Sequence, residues 1–169
     1  ASYSFLLEHF YIVDETTSMT KQDLNGTKLV TMDLSAKLGK EEPLVLIYHT
    51  HGSETYKKVN GKEGSVIEVG TALTKELENV YGIKTVHDKS VYDMVDGQLD
   101  RNAAYNFAGD SVEAALRKNP SVKVVIDLHR DSVENNIHLR TKINGKSAAQ
   151  IMFFNGVSRL ASKGDIGYL

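Results

Sequence analysis

The chain has no cysteine among its 169 residues. That excludes disulfide frameworks and thiolate zinc sites, so any metal must be held by histidine and carboxylate. No run approaches the roughly 18 consecutive apolar residues that a membrane-spanning helix needs, and Ala1 opens no signal-peptide pattern. Neither sign of charge dominates. The net charge of −2 offers no hold on nucleic acid or on an anionic membrane surface. The sequence shows no internal repeat and no low-complexity segment, and it begins without methionine, as expected of a segment trimmed from a longer chain. What remains is the make-up of an ordinary soluble globular protein, 41% apolar and 25% charged, of a length that suits one domain.

Residues 1–40 read as an N-terminal extension, a strand or hairpin packing on the main sheet. SFLLEHFYIV opens apolar, DETTSMTKQDLNGTK is polar with a turn signal at Asn25-Gly26, and Leu29 to Leu34 (LVTMDL) suits a short edge strand. Residues 41–169 form the main domain, entered through a surface link from Gly39 to Pro43. LVLIY, from Leu44, lacks alternation, as does a strand buried on both faces of a parallel sheet. After HTHGSETY and a charged loop from Lys57 to Gly64, apolar residues fall at 66, 69, 73, 77 and 80, the spacing of a helix over Val66 to Tyr81. Ser65 and Glu68 form a capping box at its start, and Gly82 stops it. Ile83 to His87 is the next strand, and Asp88 to Asp100 an Asp- and Gly-rich loop. Arg101 to Arg117 is a second helix, with Ala104, Ala108, Val112 and Ala115 on its inner face, ended by Asn119-Pro120. Val122 to Leu128 is another buried strand. The alternation implies right-handed βαβ crossovers and an α/β fold, a mainly parallel sheet with helices on both faces. Asn144-Gly145, flanked by HLRTKI and AAQIMFF, adds a C-terminal hairpin. The tail GVSRLASKGDIGYL has no obvious closing element.

Two strands end on histidine. PLVLIYHTHGSE delivers His49, His51 and Glu54 into a turn, and VKVVIDLHRD delivers His129. In open α/β sheets ligands bind beyond the carboxyl ends of the strands, and parallel strands put both ends on one edge. His51-x-x-Glu54 lets a tight turn bring both side chains to one side. Two histidines and one carboxylate leave a zinc ion a fourth position for water, the arrangement of catalytic zinc, which activates that water and polarises a carbonyl for amide hydrolysis. The preferred metal ligands are therefore His51, Glu54 and His129. His49 is the fallback for His51. Glu68 is an alternative to Glu54 and ranks behind it, because the capping box already accounts for it. His87 ends a third strand and reads as a short-strand residue that could face the site. His9 and His138 read as surface or packing residues. Asp127 reads as a carboxylate behind His129 or as an ordinary strand residue. Arg130 could bind an oxyanion or a substrate carboxylate, and is the catalytic candidate; the plainer reading is an ion pair with Asp131 or Asp88. Asp131 in turn could orient either partner.

YHTHGSETY, the helix ending in YGI, HDKSVYD, NPSVKVVIDLHRD and the INGK hairpin followed by IMFF together resemble the stage II sporulation protein P family, from about Phe10 onward. The resemblance implies a zinc-dependent N-acetylmuramoyl-L-alanine amidase of phosphorylase/hydrolase-like fold, exported and membrane-anchored, that cuts peptidoglycan during engulfment of the forespore. It implies a lytic transglycosylase partner, stage II sporulation protein D, and the membrane protein M of the same system. The histidines of HTHGSE and DLHRD and the glutamate of HGSE carry over as ligands. Amidases of this kind also use a glutamate on a late strand, in a stretch resembling LIEVG, as general base or acid. No such stretch follows the hairpin here, so the expectation is a C-terminally truncated domain that binds metal but hydrolyses poorly. A zinc carboxypeptidase and a non-catalytic peptidoglycan- or partner-binding module are the rival readings.

Overall fold

The computed structural model describes residues 2–11, 19–33, 35–36, 41–56, 63–134 and 137–154, together with the backbone of two short strands further on. It divides into two compact units, Ala36–Asn136 and a second made of Ala1–Ser35 with Ile137–Leu169.

The N-terminal stretch is helical where a strand or hairpin was expected. Helix α1 (Tyr3–Phe10) starts at Ser2, whose hydroxyl accepts the Phe5 amide. Helix α2 (Gly26–Thr31) starts at Asn25, whose side chain accepts the Lys28 amide at 3.0 Å. Asn25-Gly26 is thus a helix cap and not a hairpin turn, and Leu29 to Thr31, expected in an edge strand, complete α2. The short polar side chains that favour turns satisfy orphan helix amides equally well. Leu24 is buried in this unit, and the Tyr3 hydroxyl donates to the Met19 carbonyl. Residues 12–18, Leu34, the start of the 39–43 link and most of the 57–64 loop lie outside the described residues.

In the other unit, strand β1 (Val45–Tyr48) is the middle of a three-stranded parallel sheet. Leu46 and Ile47 are fully buried, as the unalternating run requires. Helix α3 (Val66–Asn79) begins with both bonds of the Ser65–Glu68 capping box. It ends ahead of Gly82, whose φ of +67° takes the left-handed turn that a side chain would resist. Strand β2 (Thr85–His87) pairs with β1 on one side. The expected loop that follows contains a small hairpin, β3 (Met94–Val95) and β4 (Gln98–Leu99). Asp96 and Gly97 both have positive φ, as the favoured two-residue hairpin turn demands.

Asp100 then caps helix α4 (Arg101–Lys118), accepting the amides of Asn102 and Ala103, and α4 packs Ala104 and Ala108 against Tyr92. Strand β5 (Val124–Asp127) pairs with the free side of β1, giving the order β2-β1-β5. It is less buried than its β-branched run suggests: Val124 and Val125 are 44% and 43% exposed, and β5 is one of the two outer strands of the sheet among the described residues. The chain leaves β1 to one side for β2, then crosses to the other for β5. The carboxyl ends of β1 and β5 therefore lie side by side where the strand order reverses, the place in an α/β sheet where a crevice opens.

Past this unit, β6 (Arg140–Ile143) and β7 (Lys146–Ala149) form the hairpin expected at Asn144-Gly145, again with positive φ at both turn residues. Pairing ends with the bond from the Gln150 amide to the Leu139 carbonyl, short of the apolar Ile151 to Phe154, which are exposed. Strands β8 (Arg159–Leu160) and β9 (Gly164–Asp165) form a last antiparallel pair. The architecture is α/β, with a parallel sheet and a C-terminal hairpin, as the patterning implies. No helix among the described residues is long and apolar enough to cross a membrane.

Candidate metal centre

Every residue of HTHGSE has a distinct structural task. His49 is fully buried, and its Nδ1 donates to the Leu128 carbonyl at 2.9 Å. Thr50 is clamped by Asp127, which accepts its amide at 2.9 Å and its hydroxyl at 2.6 Å. Ser53 is held the same way by Asp93, amide at 3.1 Å and hydroxyl at 2.6 Å. Gly52 lies against backbone between the two clamps: a Cβ there would come within 3.0 Å of the Ser90 carbonyl oxygen and 3.1 Å of Val91 Cα. With the turn fixed at both ends, His51 and Glu54 project together, and the Glu54 amide donates back to the His51 carbonyl.

His51, Glu54 and His129 converge, with donor atoms all within 4.8 Å of one another. His51 Nδ1 lies 3.7 Å from Glu54 Oε1, and His129 Nδ1 lies 3.8 Å from Glu54 Oε2. These separations are too long for hydrogen bonds. They match two ligands of one ion, which bonds of about 2.0–2.2 Å place roughly 3.4–4 Å apart. The Nε2 of His51, the nitrogen on the far side of the ring from Glu54, is buried without a hydrogen-bond partner among the described residues. Two imidazoles and a carboxylate suit zinc chemically.

The surroundings orient this set. His129 Nε2 meets Asp127 Oδ2 at 2.9 Å, which leaves Nδ1 turned toward Glu54, a carboxylate–histidine pair of the kind found behind metal ligands. That bond, against the opposing effect of burial, raises the His129 pKa above its ordinary value. Burial pushes Asp127 toward its neutral form, but the bonds from His129 and Thr50 outweigh it and hold its pKa below the usual carboxylate range. Glu54 Oε2 accepts the Arg130 amide at 2.7 Å, so the loop carrying one histidine also holds the carboxylate. Tyr105 of α4 sets its ring edge-on against His51, with 5.4 Å between centroids, and is itself exposed.

The other sequence candidates fall elsewhere. His49 points away from the triad, its Nε2 2.9 Å from His87 Nε2, and His87 faces His49 instead of the convergent donors. Burial, with His49 close by, pushes the His87 pKa down to about 4. Glu68 is occupied by the capping box, Oε2 accepting the Ser65 amide at 3.0 Å. The Arg130 guanidinium makes no ion pair with Asp131 or Asp88: Asp131 accepts the Ser132 amide, and Asp88 accepts from Ser90 and from the Tyr92 hydroxyl. Its Nε is buried without a partner among the described residues. His9 is exposed and stacked on Phe5, and His138 is exposed.

Sequence reasoning missed Asp93, Gly70 and Tyr105. Only the serine and threonine that flank His51 hint at two receiving carboxylates. The Glu68 result supports a prediction: Glu68→Ala should lower stability by about 1 kcal/mol, the usual worth of a helix cap, and leave zinc stoichiometry unchanged. Paired melting curves and metal analysis check it, and a loss of zinc would return Glu68 to the ligand set.

The fold and site define a class: an α/β domain with two histidines and a carboxylate, able to hold a metal ion, at the switch point of a parallel sheet. The chain belongs to the Stage II sporulation protein P (SpoIIP) family, whose model matches residues 7–163. It is similar to the Stage II sporulation protein P of Bacillus subtilis (strain 168), 28% identical over 127 residues, which cover 69% of this chain and 31% of that protein. The chain thus spans about a third of the length of this relative. No solved structure gave a significant match.

Proposed function

We propose that the Ala36–Asn136 unit holds zinc through His51, Glu54 and His129 and serves peptidoglycan hydrolysis. The bond attacked is the amide between the lactyl group of N-acetylmuramic acid and L-alanine, and the setting is engulfment of the forespore. The observation that carries this reading is the convergence of the two imidazoles and the carboxylate, within 4.8 Å, at the strand ends. A zinc ion in such a set keeps one position for water, lowers that water's pKa toward 7 and polarises a carbonyl oxygen. The chain's own residues do the rest. Asp127 keeps the His129 Nδ1 bare toward the centre, and the Arg130 amide fixes Glu54. The Arg130 guanidinium, unpaired among the described residues and next in sequence to His129, is suited to an oxyanion or to a carboxylate of the stem peptide.

The family membership supports the sporulation setting. Export, a membrane anchor and the partners stage II sporulation protein D and protein M belong to the same proposal. Cleavage within the stem peptide is a second activity the same centre can support. A binding role for this stretch is favoured by a separate observation. Among the described residues Asp127 and Asp93 are each bonded to the HTHGSE turn and Glu54 belongs to the triad, so none of these three carboxylates is free to take a proton from water.

Mass spectrometry of muropeptides after incubation with zinc-loaded protein tests the reading. Stem peptides with a free L-alanine amino terminus, released slowly by these 169 residues and not at all with chelator, are expected. Release of terminal D-alanine alone would make it a carboxypeptidase. Tight muropeptide binding with no turnover, even by the longer gene product, would make it a binding module.

A further inference from the structure

Beside the triad lies a second histidine pair that the proposed chemistry does not use. His49 and His87 meet Nε2 to Nε2 at 2.9 Å, and His49 Nδ1 sits 2.9 Å from the Leu128 carbonyl. A carbonyl only accepts, so His49 must carry its proton on Nδ1. In a neutral ring Nε2 is then bare, and the proton between the two rings must belong to His87. The order is fixed from end to end: His87 Nε2–H donates to His49 Nε2, and His49 Nδ1–H donates to Leu128. His87 Nδ1 is left as a bare acceptor, and it is indeed buried without a partner among the described residues.

The pair is also enclosed. Gly70 of α3 passes directly over the contact. A Cβ there would lie 2.6 Å from His87 Nε2 and 2.8 Å from both Cε1 and Nε2 of His49. Real Cβ contacts are essentially never under 3.0 Å, so the two rings fit only beneath a glycine. Burying two imidazoles where apolar side chains would pack costs free energy unless their bonds are used.

The far end of the chain of bonds is one peptide from His129. The Leu128 amide donates to the Tyr48 carbonyl while its own carbonyl accepts from His49, so the peptide groups on both sides of Leu128 are tied to the end of β1. On the other side of His129, the Arg130 amide is tied to Glu54. Taking the metal reading as given, we propose that His49 and His87 form a positioning relay that fixes the backbone placing His129 at the centre. The relay runs from β2 through His49 to the loop after β5, so all three strands of the sheet set the site.

The test separates positioning from simple packing. Zinc affinity is measured by chelator competition, at a temperature where circular dichroism shows each metal-free variant folded. Visible spectra of the cobalt(II)-substituted proteins report ligand geometry. His49→Ala should raise the zinc Kd about 10- to 100-fold, the usual effect of losing a group that orients a ligand, and shift the cobalt bands. His49→Asn, whose side-chain nitrogen occupies the place of Nδ1, should restore most of the affinity. If His49→Ala does not fold, His87→Ala and Gly70→Ala carry the test, since Gly70→Ala displaces the rings with every donor intact. Both should weaken zinc binding. A fall in metal-free stability with zinc Kd and cobalt spectrum unchanged would overturn the relay and leave the pair a packing feature. Failure of the unaltered protein to bind zinc would overturn the metal reading and the relay with it.

Discussion

On the proposed zinc reading, replacing His129 with alanine will abolish zinc binding. A structural zinc site of four ligands is worth about 10–16 kcal/mol at neutral pH, or roughly 3 kcal/mol for each ligand. At about 1.4 kcal/mol per decade, loss of one ligand weakens binding by at least about 100-fold. The two groups left, His51 and Glu54, are three residues apart on a single turn and cannot enclose an ion between strands. His129 is the contribution of β5, and without it the centre has one wall. Metal analysis after dialysis against a weak chelator reads the result. The unaltered protein should retain close to one zinc per chain and the variant almost none, and equal zinc in both would remove His129 from the ligand set.

Asp127 gives the second large effect, and two substitutions there separate its roles. The carboxylate accepts three bonds: the Thr50 amide, the Thr50 hydroxyl and His129 Nε2. Asp127→Ala removes all three and takes from the fully buried Thr50 the acceptor of its amide and hydroxyl. The expected loss is about 2–4 kcal/mol of stability, since each stranded buried donor costs about 1–3 kcal/mol. That is a large part of the roughly 5–15 kcal/mol that holds a domain folded.

Asp127→Asn is the sharper variant. Its carbonyl oxygen can still take the Thr50 amide, and its NH2 can donate to the Thr50 hydroxyl. That NH2 then confronts the Nε2–H of His129. To avoid two opposed donors, His129 must move its proton to Nδ1, the nitrogen that faces Glu54 and would bind metal. Metal-free stability should therefore stay close to that of the unaltered protein while zinc affinity falls about 10- to 100-fold. Thermal melts of the metal-free proteins and zinc titrations decide it. Undiminished affinity in Asp127→Asn would mean that His129 does not present Nδ1 to the centre.

Much of this site is visible in the sequence because its parts are local. His51 and Glu54 share a turn, Ser65 and Glu68 share a cap, and Asn144-Gly145 is its own hairpin, so each is written within four residues. The helical periods at 66–80 and 101–117 likewise depend only on near neighbours. The misses have two physical origins. Short segments with caps and turn residues in common are ambiguous, so Asn25-Gly26 passed for a hairpin and Asp96-Gly97 for plain loop. Other features exist only through distant partners. Thr50 is explained by Asp127, 77 residues on, Ser53 by Asp93, 40 residues on, and Gly70 by two rings, one just past β1 and one at the end of β2. Nor does a run of valines and isoleucine disclose the exposure of β5 or its place as an outer strand among the described residues.

The span of those clamps also sets an order of events during synthesis. His51 and Glu54 leave the ribosome nearly eighty residues before His129, which at about 5–20 residues per second is roughly 4–16 s. Through that interval the HTHGSE turn lacks Asp127, the Leu128 carbonyl and the Arg130 amide, and can hold neither its shape nor its third ligand. The sheet cannot help sooner, because β5, the last of its strands to emerge, carries the missing half. On the proposed metal reading, a nascent or interrupted chain thus has an incomplete ligand set, and the three donors come together only when the last strand closes against the first.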